Sequence, residues 1–349
     1  MAVKSSGTQL AFSEIEAEFG QNGDRGLGAY RVSQTVSALS FNGIDSGVPS
    51  SGTIKFSDFY SKKLNVVVDC HSGSTEFRIN AKTNKWNANS VTVIGGFRNK
   101  KESGSKVFIH VNKTFGCEKN VSNACALRTG SWSGVELRVD VGSSGKIYGA
   151  GGDGGPGCAG QSDVSTDCGS GATNNGNGKD GNHALGVEYN GTVVSNSGRI
   201  ICGFGGGGGG GSARQTDKGA DRSASGGGGG GGAGLPAGSG GEAQTGNQGN
   251  ELIGATTGSG ASTPDGGEQA GEGGGGGNNE NEAIGGTGGD GGDESNNSPE
   301  AGGDGGGRGH KSEGGAAGSN GEAMRRTSGI SVTISGGTIV GGTTGTGVE

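Results

Sequence analysis

Four histidines and six cysteines are the residues of this chain best suited to metal or nucleophilic chemistry. His71, His110, His183 and His310 are scattered and show no H-E-x-x-H spacing. Cys70, Cys117, Cys125, Cys158, Cys168 and Cys202 contain no C-x-x-C pair, which argues against zinc. The pairs Cys117/Cys125 and Cys158/Cys168 bracket short loops. They can close as disulfides outside a cell or remain buried thiols in a reducing cytoplasm, and the spacing leaves both open. A phosphate loop needs Gly-Lys followed by Ser or Thr. Here Gly145-Lys146 is followed by Ile147, and Gly178-Lys179 by Asp180. G-x-G-x-x-G occurs only because glycine is common, and no G-x-S-x-G elbow is present. Gly285–Asp293 (GGTGGDGGD) approaches the calcium-binding nonapeptide. Its eighth position is Gly292 rather than a large apolar residue, and it has no tandem copy, so a solvated acidic face is the better reading. The expectation is a protein without catalysis, cofactor or metal.

The elements that would position any site are unusual. Of 349 residues, 88 are glycine and 5 proline. Most glycines lie between Gly149 and Met324, with unbroken runs at Gly205–Gly211, Gly226–Gly232 and Gly273–Gly277. Without a period, such a composition means a flexible segment. A period is present in places. Thr287, Asp290 and Asp293 are spaced by three between glycines, as are Ala150, Asp153 and Pro156, and Ala301 and Asp304 repeat the pattern on a smaller scale. Three residues per turn is the period of the extended polyproline-II helix, which rises about 3.1 Å per residue and has no internal hydrogen bonds. If its faces are glycine, neighbouring helices can approach closely enough to pair its backbone. An all-glycine run then reads as a helix buried on every side. A run substituted at every third residue reads as one with a face to water. Collagen would need a strict repeat and abundant proline. The centres of the three runs, Gly208, Gly229 and Gly275, are the positions where a side chain should be least tolerated.

The front of the chain is different. Residues 1–148 carry 18 Lys+Arg and 12 Asp+Glu, whereas residues 149–349 carry 9 and 22. The acidic back half argues against nucleic acid. No signal peptide is evident, and no stretch approaches the roughly 18 apolar residues of a membrane span, so no membrane insertion is expected. Fourteen of the 16 aromatics precede residue 149, which places a conventional core there. Residues 1–63 hold short elements. One is a helix over Phe12–Gly20 with Ser13 as cap, Glu16 completing a capping box and Gly20 closing it. The other is a single turn capped by Ser57 and carrying Phe59 and Tyr60. Strands are expected at Leu64–Val68, Val91–Ile94, Val107–Val111 and along the alternating Val135, Leu137, Val139 and Val141. Trp86 and Trp132 would help fill this core. Val187 and Tyr189, the Asn190-Gly191 pair and Thr192–Val194 read as a hairpin. Ile200–Cys202 leads into the first glycine run, and Ile330, Val332 and Ile334 mark a last strand.

Several stretches resemble a known family. Ser13–Gly20 (SEIEAEFG) and Val48–Tyr60 (VPSSGTIKFSDFY), then a β segment and poly-glycine, resemble tail-fibre and tail-tip proteins of tailed bacteriophages. Leu64–Gly155, with VIGGF, HVNKT, CALRTGSW and GAGGDGG, is similar to glycine-rich structural proteins of marine phages. The glycine-rich half resembles the distal long-tail-fibre adhesin of T-even phages, whose fold is a sandwich of polyglycine-II helices. That adhesin attaches through a different N-terminal domain, so its mode of attachment does not carry over. The loops here also lack aromatics, so sugar recognition by ring stacking is not supported in them. The resemblance implies a mainly β protein with little α. Residues 1–63 would be a virion-attachment module, 64–148 a β domain, 149–326 a polyglycine-II bundle with polar loops, and 327–349 a C-terminal strand segment. It implies a tail-fibre or tail-tip adhesin in the virion. Its partners would be other tail proteins, through residues 1–63, and a host-surface receptor, an outer-membrane protein or glycan. A homo-oligomer, trimeric in a fibre, is compatible with this. The alternative is a self-assembling fibre or sheath protein with a purely structural role. Candidate contact loops lie between glycine runs. Ser212–Ser225 contains Arg214, Asp217 and Lys218. Leu235–Gly271 contains Gln244, Asn247, Asn250 and Glu251. Asn278–Ile284 contains Asn279 and Glu280, and Glu294–Glu300 contains Glu294 and Asn296.

Overall fold

The structure is a computed structural model. It describes residues 3–19, 26–30, 48–49, 51–62, 66–70, 92–94, 106–119, 121, 124–130, 132, 134–158, 176–217, 220–243, 255–261, 271–274, 278–279, 283–284, 287–293, 298–301, 306–307, 310–311 and 313–348. The described residues are mainly β, with one α-helix, α1 (Phe12–Phe19).

Residues 3–62 carry their own core. Ile15, Phe19, Tyr30 and Phe59 are buried together with Val3, Leu10 and Val48. The rings of Phe19, Tyr30 and Phe59 meet at centroid distances of 6.1–6.2 Å. The ends of the module are tied: the Val3 N–H donates to the Lys62 carbonyl at 3.0 Å, and Ser61 N–H donates back to Val3 at 3.1 Å. Neither serine is the cap. The Ala11 N–H donates to the Glu14 carboxylate at 2.9 Å, and the Lys55 N–H donates to Asp58 at 2.7 Å. The caps therefore sit at Ala11 and Lys55, two residues before the serines, and both helical turns begin at Phe12 and Phe56 with Ser13 and Ser57 inside them. The reason is the repeated Phe-Ser-acid order, which puts a carboxylate where it can reach back to an unpaired N–H. Phe12 and Phe56 then meet edge to face at 6.3 Å.

Most of the β structure is a parallel coil with three faces. β1 (Val66–Cys70) pairs antiparallel with β2 (Thr92–Ile94) and parallel with β3 (Lys106–Val111). The first turn of the coil runs β3, β4 (Thr114–Phe115), β5 (Cys125–Arg128). The second runs β6 (Glu136–Val141), β7 (Lys146–Tyr148), β8 (His183–Val187). The third opens with β9 (Thr192–Asn196) and β10 (Arg199–Ile201). The chain then leaves the coil and makes β11 (Ala213–Asp217), β12 (Ala220–Ala224), β13 (Asn278–Asn279), β14 (Ala283–Ile284), β15 (Gly306–Gly307) and β16 (His310–Lys311). It returns at β17 (Met324–Arg326) to finish the third turn, and β18 (Val332–Ser335), β19 (Thr338–Val340) and β20 (Gly345–Thr346) make the fourth. The three faces are the sheets β18-β9-β6-β3, β19-β10-β7-β4 and β20-β17-β8-β5.

Parallel register stacks like on like inside this coil. Ile109, Val139, Val194 and Ile334 form one column, and Phe115, Ile147, Ile200 and Ile339 a second. Leu127, Leu185 and Met324 form a third. Each column closes one side of a single core that Trp132 flanks, its indole N–H donating to the Thr129 carbonyl at 2.9 Å. Trp86 lies outside the described residues. The Asn190-Gly191 pair is a coil corner, not a hairpin: β8 and β9 lie on different faces and do not pair. Gly191 has φ +76°, and its N–H donates to Ser331 on the next turn at 2.9 Å while Asn190 accepts the Ser331 N–H at 2.8 Å. The turn chemistry was right, but stacking against the next coil won over pairing within the hairpin.

Both long excursions, residues 149–182 and 202–323, leave after the second face and return to the third. The glycine-rich half is thus inserted at one corner of the coil.

Cys117, Cys125 and Cys202 are buried free thiols, so the first of the two bracketed cysteine pairs is not a disulfide. Cys158 is disulfide-bonded. Burial pushes the Cys117 thiol up to about 12, with Cys125 adding to it. Burial pushes Cys125 up to about 11 against the pull of Arg128 and Arg325. At pH 8 less than roughly one thiol in a hundred would be ionised at either site. Iodoacetamide at pH 8 should therefore leave both unlabelled in the native protein and label both in guanidinium. Rapid native labelling of Cys125 would contradict this core.

Candidate functional site

The excursions are made of extended segments that use three residues per repeat in their pairing. Gly203, Gly206 and Gly209 donate to Asn182, Lys179 and Gly176, while Phe204, Gly207 and Gly210 donate to Ala233, Gly230 and Gly227. Gly149, Gly152, Gly155 and Cys158 donate to residues 201, 204, 207 and 210. Segment 203–211 exchanges backbone hydrogen bonds with six others: 149–158, 176–182, 226–235, 287–293, 298–301 and 313–321. Segment 226–235 likewise meets 149–158, 203–211, 236–243, 255–261, 271–274 and 287–293. These two hold the runs Gly205–Gly211 and Gly226–Gly232, and every residue from 224 to 235 is buried. A Cβ on Gly229 would lie 2.1 Å from the Gly207 carbonyl oxygen, and one on Gly207 would lie 1.9 Å from that of Gly289. None of the glycines in the two runs has positive φ. Glycine is needed here for the close approach of backbones, not for an unusual φ. Gly208 donates to Glu300 and accepts from Gly289, whereas Gly275 lies outside the described residues.

Outer segments have fewer neighbours, and side chains replace the missing acceptors. Asn177, Asp180 and His183 accept the N–H groups of Ala316, Ser319 and Glu322 at 2.9, 2.7 and 2.8 Å. Gly178, Gly181 and Ala184 donate back to the carbonyls of the same three residues. Asp153 accepts from Ser239, Asp290 from Gly273 and Ser259 from Glu272, each at 2.7 Å. The sequence signal for this rim is an Asp, Asn or Ser directly before a glycine at period three.

Segments alternate in direction, so their connections fall at two ends. Phe204 and Leu235 lie at the coil end, packed with Tyr148, Ile201 and Cys202. β11 and β12 lie at the far end, where Arg214 stands opposite Ser223 and opposite His310 of β16. β13, β14 and β15 form a second small sheet against the first, with Asn279 opposite Ala283. The fold therefore brings Arg214, Asp217 and Asn279 to one end. Lys218, Glu280, Gln244, Asn247, Asn250, Glu251, Glu294 and Asn296 lie outside the described residues. The described segment before Glu294 ends at buried Asp293, and its Gly292 pairs with Gly205 and Ala233 at the coil end. Leu235–Gly271 is not one loop. Leu235 is buried, and segments 236–243 and 255–261 pair with each other through Gly258 to Gly241 and Ala261 to Gly238. Single glycines at every third position are enough for a segment that lies at the edge.

Architecture defines the class: a three-faced parallel β coil carrying glycine-rich extended segments inserted at one corner. No protein-family model matches this chain, and no curated protein matches it. Among solved structures, the gp37-gp38 adhesin tip complex of the bacteriophage S16 long tail fiber is similar at 17% identity and a TM-score of 0.41, covering 98% of this chain and 99% of that one.

Proposed function

We propose that this chain is a structural protein of a bacteriophage tail fibre or tail tip, and that it acts there as a host-receptor-binding adhesin without catalysis. We read the glycine-rich segments as polyglycine-II helices. Their hydrogen bonding at period three and the negative φ of the two interior runs support that reading. The observation that carries the function is the direction of the bundle. Its interior has no side chains to offer, and its strands β11–β16 sit at the end away from the coil. A rigid bundle of this kind presents short polar connections at a fixed distance from the attachment point. Residues 1–63 would bind other tail proteins. The receptor would be an outer-membrane protein or a glycan, met through far-end residues such as Arg214, Asp217 and Asn279.

The test is an exchange of residues 214–223 for another polar hairpin of equal length. Phage carrying the exchanged protein should adsorb to its host markedly less, with melting of the purified protein nearly unchanged. The paired glycines lie outside the exchanged stretch, so the bundle should persist. Unchanged adsorption after replacing residues 214–223, 244–254 and 278–284 together would count decisively against the adhesin. Long homopolymers in micrographs would favour a fibre or sheath protein.

A further inference from the structure

A cleft of about 480 Å³ opens where the bundle joins the coil, at the opposite end from β11–β16. That volume lies in the roughly 300–1,000 Å³ range of small-molecule sites. Its walls come from the inward-running segment 176–183, the segment 313–321 and the coil residues Val121 and Arg325. Polar and charged side chains face it. Asn182 is only 7% exposed; its amide nitrogen donates to the Glu118 carbonyl at 2.7 Å, and its side-chain oxygen accepts nothing among the described residues. Asp180 spends one carboxylate oxygen on the Ser319 N–H, leaving the other. The Lys179 ammonium and the Ser319 hydroxyl are exposed and make no side-chain bond among the described residues. Arg325 supplies a fixed positive charge, held by the Thr346 carbonyl at 2.6 Å beside His183. Burial, and then the charge of Arg325, push the His183 imidazole down to about 4, so it adds no charge at neutral pH.

Charges of both signs line the cleft, with donors and acceptors interleaved. A polyanion would meet Asp180, the Asp153 carboxylate being paired with Lys119, and a cation would meet Lys179 and Arg325. Hydroxyl groups both donate and accept, so a ligand rich in them satisfies Asn182, Asp180, Lys179 and Ser319 together. Segment 176–183 also brings the flat backbone of Gly181 to the wall, and Val121 adds the apolar contact. We infer that this cleft binds a saccharide of one or two sugar units, as a site separate from the far-end strands and independent of whether those strands meet a receptor.

The experiment is an amide NMR titration of the whole protein with D-galactose, D-glucose and N-acetyl-D-glucosamine, each to about 50 mM, with inorganic phosphate as the anion control. The expected result is a saturable shift of the Gly181, Asn182 and Ser319 amides with at least one sugar, while the amides of residues 213–217 stay fixed. The double variant Lys179→Ala/Ser319→Ala should weaken that sugar about tenfold. Both side chains are exposed and make no side-chain bond among the described residues, so the variant should melt with the parent protein. No saturable shift with any of the three sugars would overturn the site, as would equal binding by the variant or binding of phosphate alone.

Discussion

Gly229→Val should abolish the slow amide exchange of Gly205–Gly232, whereas Asp290→Val should leave most of it. The two positions differ in what surrounds them. Gly229 donates to Gly155 at 2.8 Å and accepts from Gly241 at 2.7 Å. The first atom of its new side chain would lie 2.1 Å from the Gly207 carbonyl oxygen and 2.6 Å from the carbon behind it. These are backbone atoms of segment 203–211, which is itself held on every side, so nothing can rotate away. The neighbours must separate, and each buried N–H left unpaired costs about 1–3 kcal/mol. Several such losses approach the whole stability of a domain, about 5–15 kcal/mol. Asp290 is exposed, as its period-three face suggests, but it also accepts the Gly273 N–H at 2.7 Å. Losing that bond costs about 0.5–1.5 kcal/mol at a position water can reach. A flexible glycine-rich chain would tolerate both changes equally. Random-coil exchange across Gly205–Gly232 in the unmodified protein would end the bundle reading.

The same comparison shows what could be read in the sequence. The runs Gly205–Gly211 and Gly226–Gly232 proved to be segments with neighbours on every side, because an absent Cβ is a property of the residue itself; of the third run only Gly273 and Gly274 are described, and Gly273 is half-buried. The alternation of Leu137, Val139 and Val141 marked a strand for the same reason. Parallel stacking left no such trace. β8 and β17 are neighbours in one sheet, yet Leu185 and Met324 are separated by nearly the whole glycine-rich half. No local pattern announces a partner so far away, so the Asn190-Gly191 corner was read as a hairpin from its turn chemistry alone. The rim was missed by a narrower margin. Asn177, Asp180 and His183 keep period three, but a polar side chain that replaces a missing backbone acceptor looks in sequence like one that merely faces water. The caps at Glu14 and Asp58 were misassigned because serine and carboxylate are both good partners for an unpaired N–H, and only geometry separates them.

A chain truncated to begin at Leu64 should fold and yet be missing from particles. The buried cluster of Ile15, Phe19, Tyr30 and Phe59 is drawn wholly from residues 3–60, and the coil core is drawn wholly from residues beyond 106. Removing one therefore leaves the other's apolar columns intact, and the remainder should melt within about 5 °C of the full chain. What would be lost is a surface. Phe56 is 41% exposed, the one large apolar side chain so exposed among the described residues, and it rests edge-on against half-buried Phe12. Carboxylate caps hold the turns that carry both rings, so the pair is presented in a fixed orientation. An exposed aromatic on a small rigid module is suited to docking, since little side-chain entropy remains to be lost. Phe56→Ala in the full chain should reproduce the loss from particles without disturbing the Phe19–Tyr30–Phe59 cluster, as judged by near-ultraviolet circular dichroism. Incorporation of the truncated chain at normal copy number would refute attachment through residues 1–63. Loss of the truncated chain alone, with Phe56→Ala incorporated normally, would keep the module as the attachment point and move the contact to another of its faces.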